Sequence, residues 1–500
     1  MKLKLSILAL LALLIAGCNR EPLPVPLEEG GKIVTISVYI SPETRVAYDD
    51  ANRTLSWESG DQLLLAGYDA DGLYMNQTSL FTYNTGTVNS FNGQQIIGAA
   101  TYKAYYPATV TLDANGSVQP LPDAFWQQTQ TGDGTTGHLK NKLLLFDEVA
   151  NSIDQAFNLE LKNSILKFNL SNIPQKVGEL DQLIYTVETS SGVFKSMTLN
   201  VTGITFSSTV NSMTAFLAFD PAVVKIAANG KAKILLIGVL PYVWRSGKVT
   251  GGKNYLKGNR YTDTVSSGWT LDNPLIYVAE SNVNPAGNGF VANPTACQGC
   301  GYFDFNAAKA IDIPGHHLPD LVEWSGIVPK YVTNQNYYVR FNSPYSYVGI
   351  TENVTVQGEN VSMTSDFRTT SNRVSYALRY KGTHMVSAWK YEYVYDTNKE
   401  HTHLKITSRN VAPSVTIGDI DDGTFWTSGT GNDVVRYFPA GGYYNNGSPN
   451  NVGVQGYYRS STVYSTAGAW NMYFNSTYAI SYYGNIQTNE FTVRLFVPGN

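Results

Sequence analysis

Cys297 and Cys300 stand in a Cys-x-x-Cys spacing, and His401 and His403 flank one threonine just before the strand-like run Leu404-Lys405-Ile406-Thr407. On a strand, residues two apart share a face, so these two imidazoles could join a thiolate as metal ligands. Blander readings compete: a small loop disulfide for the cysteines, and surface histidines beside Lys399 and Glu400 in a loop. A zinc site would want further ligands close to the cysteines, and c-type haem attachment would want a histidine where Gly301 stands. A redox pair would want a βαβ setting, which the surrounding sequence lacks. His316 and His317 precede Leu318-Pro319, where packing or loop-fixing hydrogen bonds account for them as well as chemistry does. No Ser-His-Asp order, paired catalytic carboxylates, P-loop or dinucleotide fingerprint occurs at recognisable spacing. The expectation is a non-enzyme with no cofactor and no metal.

The more telling chemistry is aromatic. Tyr443-Tyr444-Asn445-Asn446-Gly447, Gly456-Tyr457-Tyr458-Arg459, Trp470-Asn471-Met472-Tyr473 and Tyr482-Tyr483-Gly484-Asn485 mix rings with amides and small residues. Such surfaces combine rigid apolar area with adaptable hydrogen bonds. Tyr443, Tyr444, Tyr457, Tyr458, Arg459, Trp470 and Asn471 therefore form the candidate ligand-binding surface. Tyrosine also favours strands, and more than half of these rings are expected to be half-buried strand residues.

The elements that must position these residues are strands. The chain has 500 residues, and at roughly 150 per domain that suggests about three domains. Lys+Arg 35 against Asp+Glu 39 leaves a net charge of -4, too weak a field to recruit nucleic acid. Hydrophobic residues at 43% suffice for packed cores. Ile33 to Ile40 alternates, with Val34, Ile36, Val38 and Ile40 on one face, and predicts a half-buried strand. Short strand-like runs recur at Leu63–Leu65, Tyr102–Tyr106, Leu143–Phe146, Phe157–Leu161 and Ile165–Leu170, a spacing that suggests an antiparallel sandwich, whose domain is placed at 32–155. A second set, at Leu183–Glu188, Met197–Val201, Met213–Phe219, Ile234–Leu240 and Lys253–Thr262, predicts another over 156–272. Beyond Asn273-Pro274 lie 22 of the 34 tyrosines and five of the six histidines, marking a third domain over 273–500. Helical periodicity is confined to Phe305–Ile311 and Leu318–Val328.

At the N-terminus, Lys2 and Lys4, an apolar run from Leu5 to Ala16, and Gly17-Cys18 read as a signal peptide over 1–18, too short to span a bilayer. Ile15-Ala16-Gly17-Cys18 resembles the lipobox of bacterial lipoproteins, which implies lipidation of Cys18 and membrane contact through acyl chains alone. Residues 19–31, with three prolines and three acidic residues, read as a linker.

Further along, Thr44-Arg45, Leu55-Ser56-Trp57, Gly60-Asp61-Gln62-Leu63, Tyr105-Tyr106-Pro107-Ala108, Leu159-Glu160-Leu161-Lys162 and Lys167-Phe168 resemble, in order and spacing, the fimbrillin family of Bacteroidetes-type pilin-like lipoproteins. The resemblance covers about residues 30–270 and implies two transthyretin-like β-sandwich domains that assemble into pili. It also implies proteolytic processing after Arg45, five residues beyond the first strand, so that the vacated groove takes a strand from another pilin subunit by donor-strand exchange. The uncut alternative, with Arg45 as a turn residue of an anchor-type protein, stays open.

The last 225 or so residues resemble a different family, the FISUMP-type domain related to C-type lectin-like and formylglycine-generating-enzyme-like modules. The carriers include Tyr277-Val278-Ala279-Glu280, His316-His317-Leu318-Pro319, Glu323-Trp324, Arg436-Tyr437-Phe438-Pro439-Ala440, Gly456-Tyr457-Tyr458, Ala469-Trp470 and Val493-Arg494. Where the family has tryptophan before paired serines, this chain has Arg459. Met472 stands where a calcium-ligating carboxylate would follow Trp470-Asn471, so a calcium-dependent sugar site is not expected. The fold expected is thus mainly β, two transthyretin-like β-sandwiches followed by an α+β C-type-lectin-like domain. Together the resemblances imply a surface-exposed outer-membrane lipoprotein, in the fimbrium if processed, serving as a pilus tip or accessory adhesin. Its C-terminal head would bind a host or bacterial surface glycan or protein, and Phe491 to Val497, read as that head's last strand, would not be given away. The alternative is a glycan-binding lipoprotein of a polysaccharide-uptake system, and a third reading is a modifying enzyme using Cys297 or Cys300.

Overall fold

Alternating burial along Ile33–Ile40, with Ile36 and Val38 inside, fixes how the first sheet closes. The computed structural model describes residues 31–40, 56–147, 149–190, 193–330, 338–371 and 373–498. These fall into two compact units, one holding the described residues up to 126 together with those of 136–164 and 257–259, the other holding those of 127–135, 165–256 and 260–498. In the first unit Ile33–Ser37 pairs antiparallel with Ser90–Gln94, and Val38–Ile40 pairs parallel with Phe157–Leu159. Because one strand serves both neighbours, the path through Tyr74–Tyr83, Gln62–Tyr68, Thr101–Tyr106 and Leu145–Phe146 closes on itself as a barrel. Trp57 donates from Nε1 to the Val38 carbonyl and sets its ring edge-on to Phe91 at 4.8 Å.

The second unit holds the second sandwich and the C-terminal domain. A six-stranded sheet runs Thr270–Leu271, Tyr242–Arg245, Ala232–Gly238, Leu180–Ser190, Val193–Thr202 and Gln128–Thr131. A three-stranded sheet, Met213–Phe219, Ser164–Leu170 and Arg260–Val265, faces the same core of Phe168, Tyr185, Leu199, Phe219 and Ile234. The domain boundary expected after residue 155 is corrected in both directions. Phe157–Leu161 completes the first sheet, and Gln128–Thr131 pairs in parallel with Leu199–Thr202 of the second sandwich. Alternation marks a strand but not its neighbour: Phe157–Leu161 reads with the first set of strands, as it pairs, although the expected boundary falls before it, and Gln128–Thr131 does not read as a strand at all.

From Asn273 onward the fold remains mainly β. Tyr345–Val356, Glu359–Ser371, Val374–Lys381, Ser387–Val394, His403–Asn410 and Val434–Pro439 make an antiparallel meander. The second sheet orders Val339–Arg340, Tyr478–Ile486, Gly468–Phe474, Gly456–Val463, Glu490–Thr492, Tyr443–Asn445 and Ser448–Asn450, with Tyr302–Phe303 paired to Glu490–Thr492. The helix Leu321–Ile327 starts three residues later than its periodicity predicted, because Asp320 caps its first turn, whereas Phe305–Lys309 starts where predicted, capped by Asp304, and ends two residues early. Asp320 and Glu323 form a reciprocal capping box.

Leu321–Ile327 anchors the domain. Trp324 is fully buried, edge-on to Phe496 at 4.9 Å, and packs on Phe438 and Tyr458. At the helix's other end the fully buried Arg379 meets Glu352 through Nη2–Oε1 at 3.0 Å and donates to the carbonyls of Ser325 at 2.7 Å and Gly326 at 2.9 Å. A guanidinium there sits at the negative end of the helix dipole and occupies carbonyls left without intrahelical partners. Among the described residues, the buried Arg494 and Arg436 have no carboxylate within ion-pair distance. Arg494 donates to the carbonyls of Ala279, Glu280 and Tyr437, and Arg436 to those of Ile276, Val278 and Val435. Burial pushes Arg494 down to about 10.

His317 ties its loop to this helix. Its Nε2 bonds Glu323 Oε1 at 2.7 Å, while its backbone pairs with Phe496. The hydrogen bond to Glu323 holds the imidazole pKa above its ordinary 6.5, against the opposing effect of burial.

Two predictions follow from this helix. Glu352→Ala leaves a buried guanidinium without its carboxylate and lowers stability by about 3–5 kcal/mol, read from urea unfolding by tryptophan fluorescence. Exchanging both partners, Glu352→Leu with Arg379→Met, costs far less; equal losses would contradict the ion-pair account. For His317 the folded-state pKa is raised, so its contribution is full below pH 6.5 and is lost as pH rises through the folded value. The Tm difference between the native protein and His317→Gln is therefore larger at acidic than at alkaline pH, and a pH-independent difference would refute the linkage.

Candidate ligand-binding face

The strand Gly456–Val463 carries two consecutive tyrosines, and consecutive strand residues point to opposite faces. Both faces are covered. Tyr458 enters the main core beside Trp324 and donates its hydroxyl to the Pro439 carbonyl at 2.8 Å. Tyr457 stacks on Phe491 at 5.3 Å and meets Tyr473 at 4.9 Å. Arg459, also buried, lies over the Phe491 ring with its guanidinium carbon 4.0 Å from the centroid, and donates to Asn471 Oδ1 and the Asn489 carbonyl. Burial pushes its pKa down to about 9. Asn471 is interior and donates to the Tyr483 carbonyl at 2.9 Å.

Four residues of the expected surface, Tyr457, Tyr458, Arg459 and Asn471, are thus corrected to interior positions. The physical reason is that this sheet is apolar on both sides, which aromatic composition alone does not reveal. Arg459 sets its guanidinium over the Phe491 ring as a cation–π partner.

Tyr443, Tyr444 and Trp470 remain partly exposed. Tyr443 covers Tyr457 at 5.1 Å and Tyr444 meets Tyr302 at 4.6 Å. Trp470 is the middle of a row of three rings, with Tyr464 at 4.9 Å on one side and Tyr482 at 4.9 Å on the other, tilted by 48° and 40°. Tyr464, 47% exposed, begins the turn into Gly468–Phe474, and its ring lies across Gly468 and Gly484. A side chain at Gly468 would run into that ring. Lys330 sets its ammonium 5.8 Å from the Tyr482 centroid, and Gln487 borders the turn, its amide 3.3 Å from the Gly468 carbonyl. Reasoning from sequence missed Tyr464 and Lys330. The signal for Tyr464 was an aromatic residue four positions before a glycine whose missing side chain makes room for the ring.

The other candidates resolve individually. Cys297 and Cys300 are bonded as a disulfide, and Asn282 donates to Cys300 Sγ at 3.3 Å. His403 is buried, donates from Nδ1 to the His401 carbonyl at 2.6 Å and packs on Tyr437. Burial lowers its pKa. Among the described residues no group of three or more His, Cys, Asp or Glu side chains could hold a metal. Met472 is in the core. Cys18 and Arg45 lie outside the described residues.

Where the second sandwich joins the C-terminal domain, the buried Asp272 gathers charge. Oδ1 accepts from Tyr277 at 2.7 Å and lies 3.5 Å from Arg245, and Oδ2 meets His384 Nε2 at 2.7 Å. Burial alone would raise this carboxyl's pKa. The His384 hydrogen bond and charge, Arg245 and Tyr277 outweigh it and hold the group well below the usual carboxylate range. Nearby, a cleft of about 200 Å³ is lined by Glu188, Lys231, Lys233, Arg245 and Glu359. Lys233 and Glu359 pair across it at 2.6 Å, so its charge is largely satisfied from within.

Residues 270–496 match a family described as a domain of unknown function (DUF8237). No curated protein matches the chain. Among solved structures, a candidate cell adhesion protein of Bacteroides fragilis is similar at 16% identity, over 48% of this chain and 95% of its own, with a TM-score of 0.29. A fimbrial protein of Bacteroides ovatus is similar at 11% identity, over 92% of this chain and 98% of its own, with a TM-score of 0.26. A candidate polysaccharide-binding protein of Bacteroides thetaiotaomicron is similar at 10% identity, over 47% of this chain and 93% of its own, also at 0.26.

Proposed function

We propose that this chain is a non-enzymatic cell-surface adhesin of fimbrial type, a pilus tip or accessory subunit whose C-terminal domain is the ligand-binding head. The observation that carries the reading is the row Tyr464, Trp470 and Tyr482, three tilted rings at the surface over a glycine floor. Sugar rings present axial C–H groups that lie against aromatic faces, and their hydroxyls find amide and carbonyl partners at the rim. Gln487 and Lys330 supply such a rim, and the ligand class is therefore a surface glycan.

Assembly is supported by the first strand. Ile33–Ile40 is held by hydrogen bonds on both sides and buries Ile36 and Val38, so a chain cut after Arg45 that lost this strand would present two unpaired edges and an apolar slot. An incoming pilin strand with apolar residues at alternate positions would fit it. Glu490–Thr492 pairs with Tyr443–Tyr444 and Gly456–Val463, and Phe496 with His317, so this segment is committed within the head. Lipidation at Cys18 would place the unprocessed protein in the outer membrane and the processed one in the fimbrium. A glycan-binding lipoprotein of an uptake system would use the same rings without exchanging the first strand.

Trp470→Ala removes the middle ring and abolishes retention on a glycan array while leaving near-UV circular dichroism otherwise intact; undiminished retention would remove the head reading. Intact-mass and N-terminal analysis of the surface-isolated protein finds a chain beginning at Val46. Full-length chains acylated at Cys18 would instead favour the uptake reading.

A further inference from the structure

The strand Met213–Phe219 ends its three-stranded sheet, yet its outer edge is not bare. Phe216 N–H donates to Gln130 Oε1 at 2.9 Å, and Gln130 Nε2 donates to the Thr214 carbonyl at 2.8 Å. Ala218 repeats the arrangement with Gln128, its N–H donating to Oε1 and its carbonyl accepting from Nε2, both at 2.8 Å. Thr214 N–H donates to Asp133 Oδ1 at 2.6 Å, and its carbonyl also accepts from Gly134 N–H at 3.0 Å. Gln128 and Gln130 are 2% and 0% exposed.

The match is geometric. A primary amide carries the same donor and acceptor as a peptide group. Gln128 and Gln130 sit two apart on a strand whose backbone pairs with Leu199–Thr202, so their side chains leave one face about 6.6 Å apart. That is also the spacing of the outward peptide groups at Phe216 and Ala218. Two side chains thus imitate a neighbouring strand.

What they cover needs covering. Met-Thr-Ala-Phe-Leu-Ala-Phe has no charge and no proline, the composition that pairs edge to edge with another copy of itself. Charged residues, prolines and bulges are the usual means of blunting such an edge, and this strand has none of the first two. We propose that Gln128 and Gln130 are edge guards. They keep Met213–Phe219 from adding the same strand of a second copy of this chain, antiparallel about a two-fold axis, an arrangement that needs only one self-complementary edge. The inference is independent of the glycan reading and of the Ile33–Ile40 slot.

The test uses the full-length protein and light scattering after size exclusion. Gln128→Val with Gln130→Val is expected to double the mass of the native protein or more. Adding Ala218→Pro, which removes an outward N–H and none that faces Ser164–Leu170, is expected to restore the native mass. A folded double-valine variant at native mass overturns the proposal, and so does association that the proline leaves unchanged, since that association would run through another surface. If the double variant loses its near-UV circular dichroism, Gln130→Ala alone decides: a mass that rises with concentration and falls back with the proline supports the guard, and a constant native mass overturns it.

Discussion

A single buried carboxylate is the point on which the second half of this molecule converges. Asp272 follows Thr270–Leu271, the last strand of the second sandwich, and precedes Asn273, which caps the turn Pro274–Tyr277. It draws Arg245 from the sandwich, Tyr277 from the turn and His384 from the meander to one point. Its carbonyl accepts from Asn410, and Asn273 bonds Ser408 and Asn410. A buried charge of this kind adds little net stability compared with apolar packing, but its bonds are directional. The sheets that carry the aromatic row are built outward from a seam with defined geometry.

Local pattern was legible where an element was buried on one face or both. Met213–Phe219, buried on both faces, and Phe157–Leu161 have the bounds read from their strand-like runs, and in the alternating Ile33–Ile40 the residues Ile36 and Val38 lie inside as read. The start of Leu321–Ile327 was written in Asp320 and Glu323, whose spacing is that of a capping box, although the periodicity alone ran past it. What could not be read was pairing. Ile33–Ile40 touches two neighbours, and Gln128–Thr131 crosses to a sheet other than the one its position suggests. Both depend on contacts far apart in sequence, for which no local signal exists.

The candidate face shows the same division. Trp470 stays at the surface, but the rings that flank it were not legible, because aromatic residues next to one another in sequence lie on opposite sides of a strand. Tyr457 and Tyr458 are adjacent and never meet, whereas Tyr464 comes to Trp470 from a turn and Tyr482 from the neighbouring strand. Arg459, read as a surface residue, is instead a buried cation over Phe491.

Arg494 and Arg436 hold their surroundings by peptide carbonyls. Every residue type supplies the same carbonyl, so this part of the grip on segment 276–280 does not depend on which side chains stand there, although Tyr277 is held by its hydroxyl as well. A substitution at Ala279 or Glu280 keeps the bonds to Arg494 so long as the backbone keeps its path.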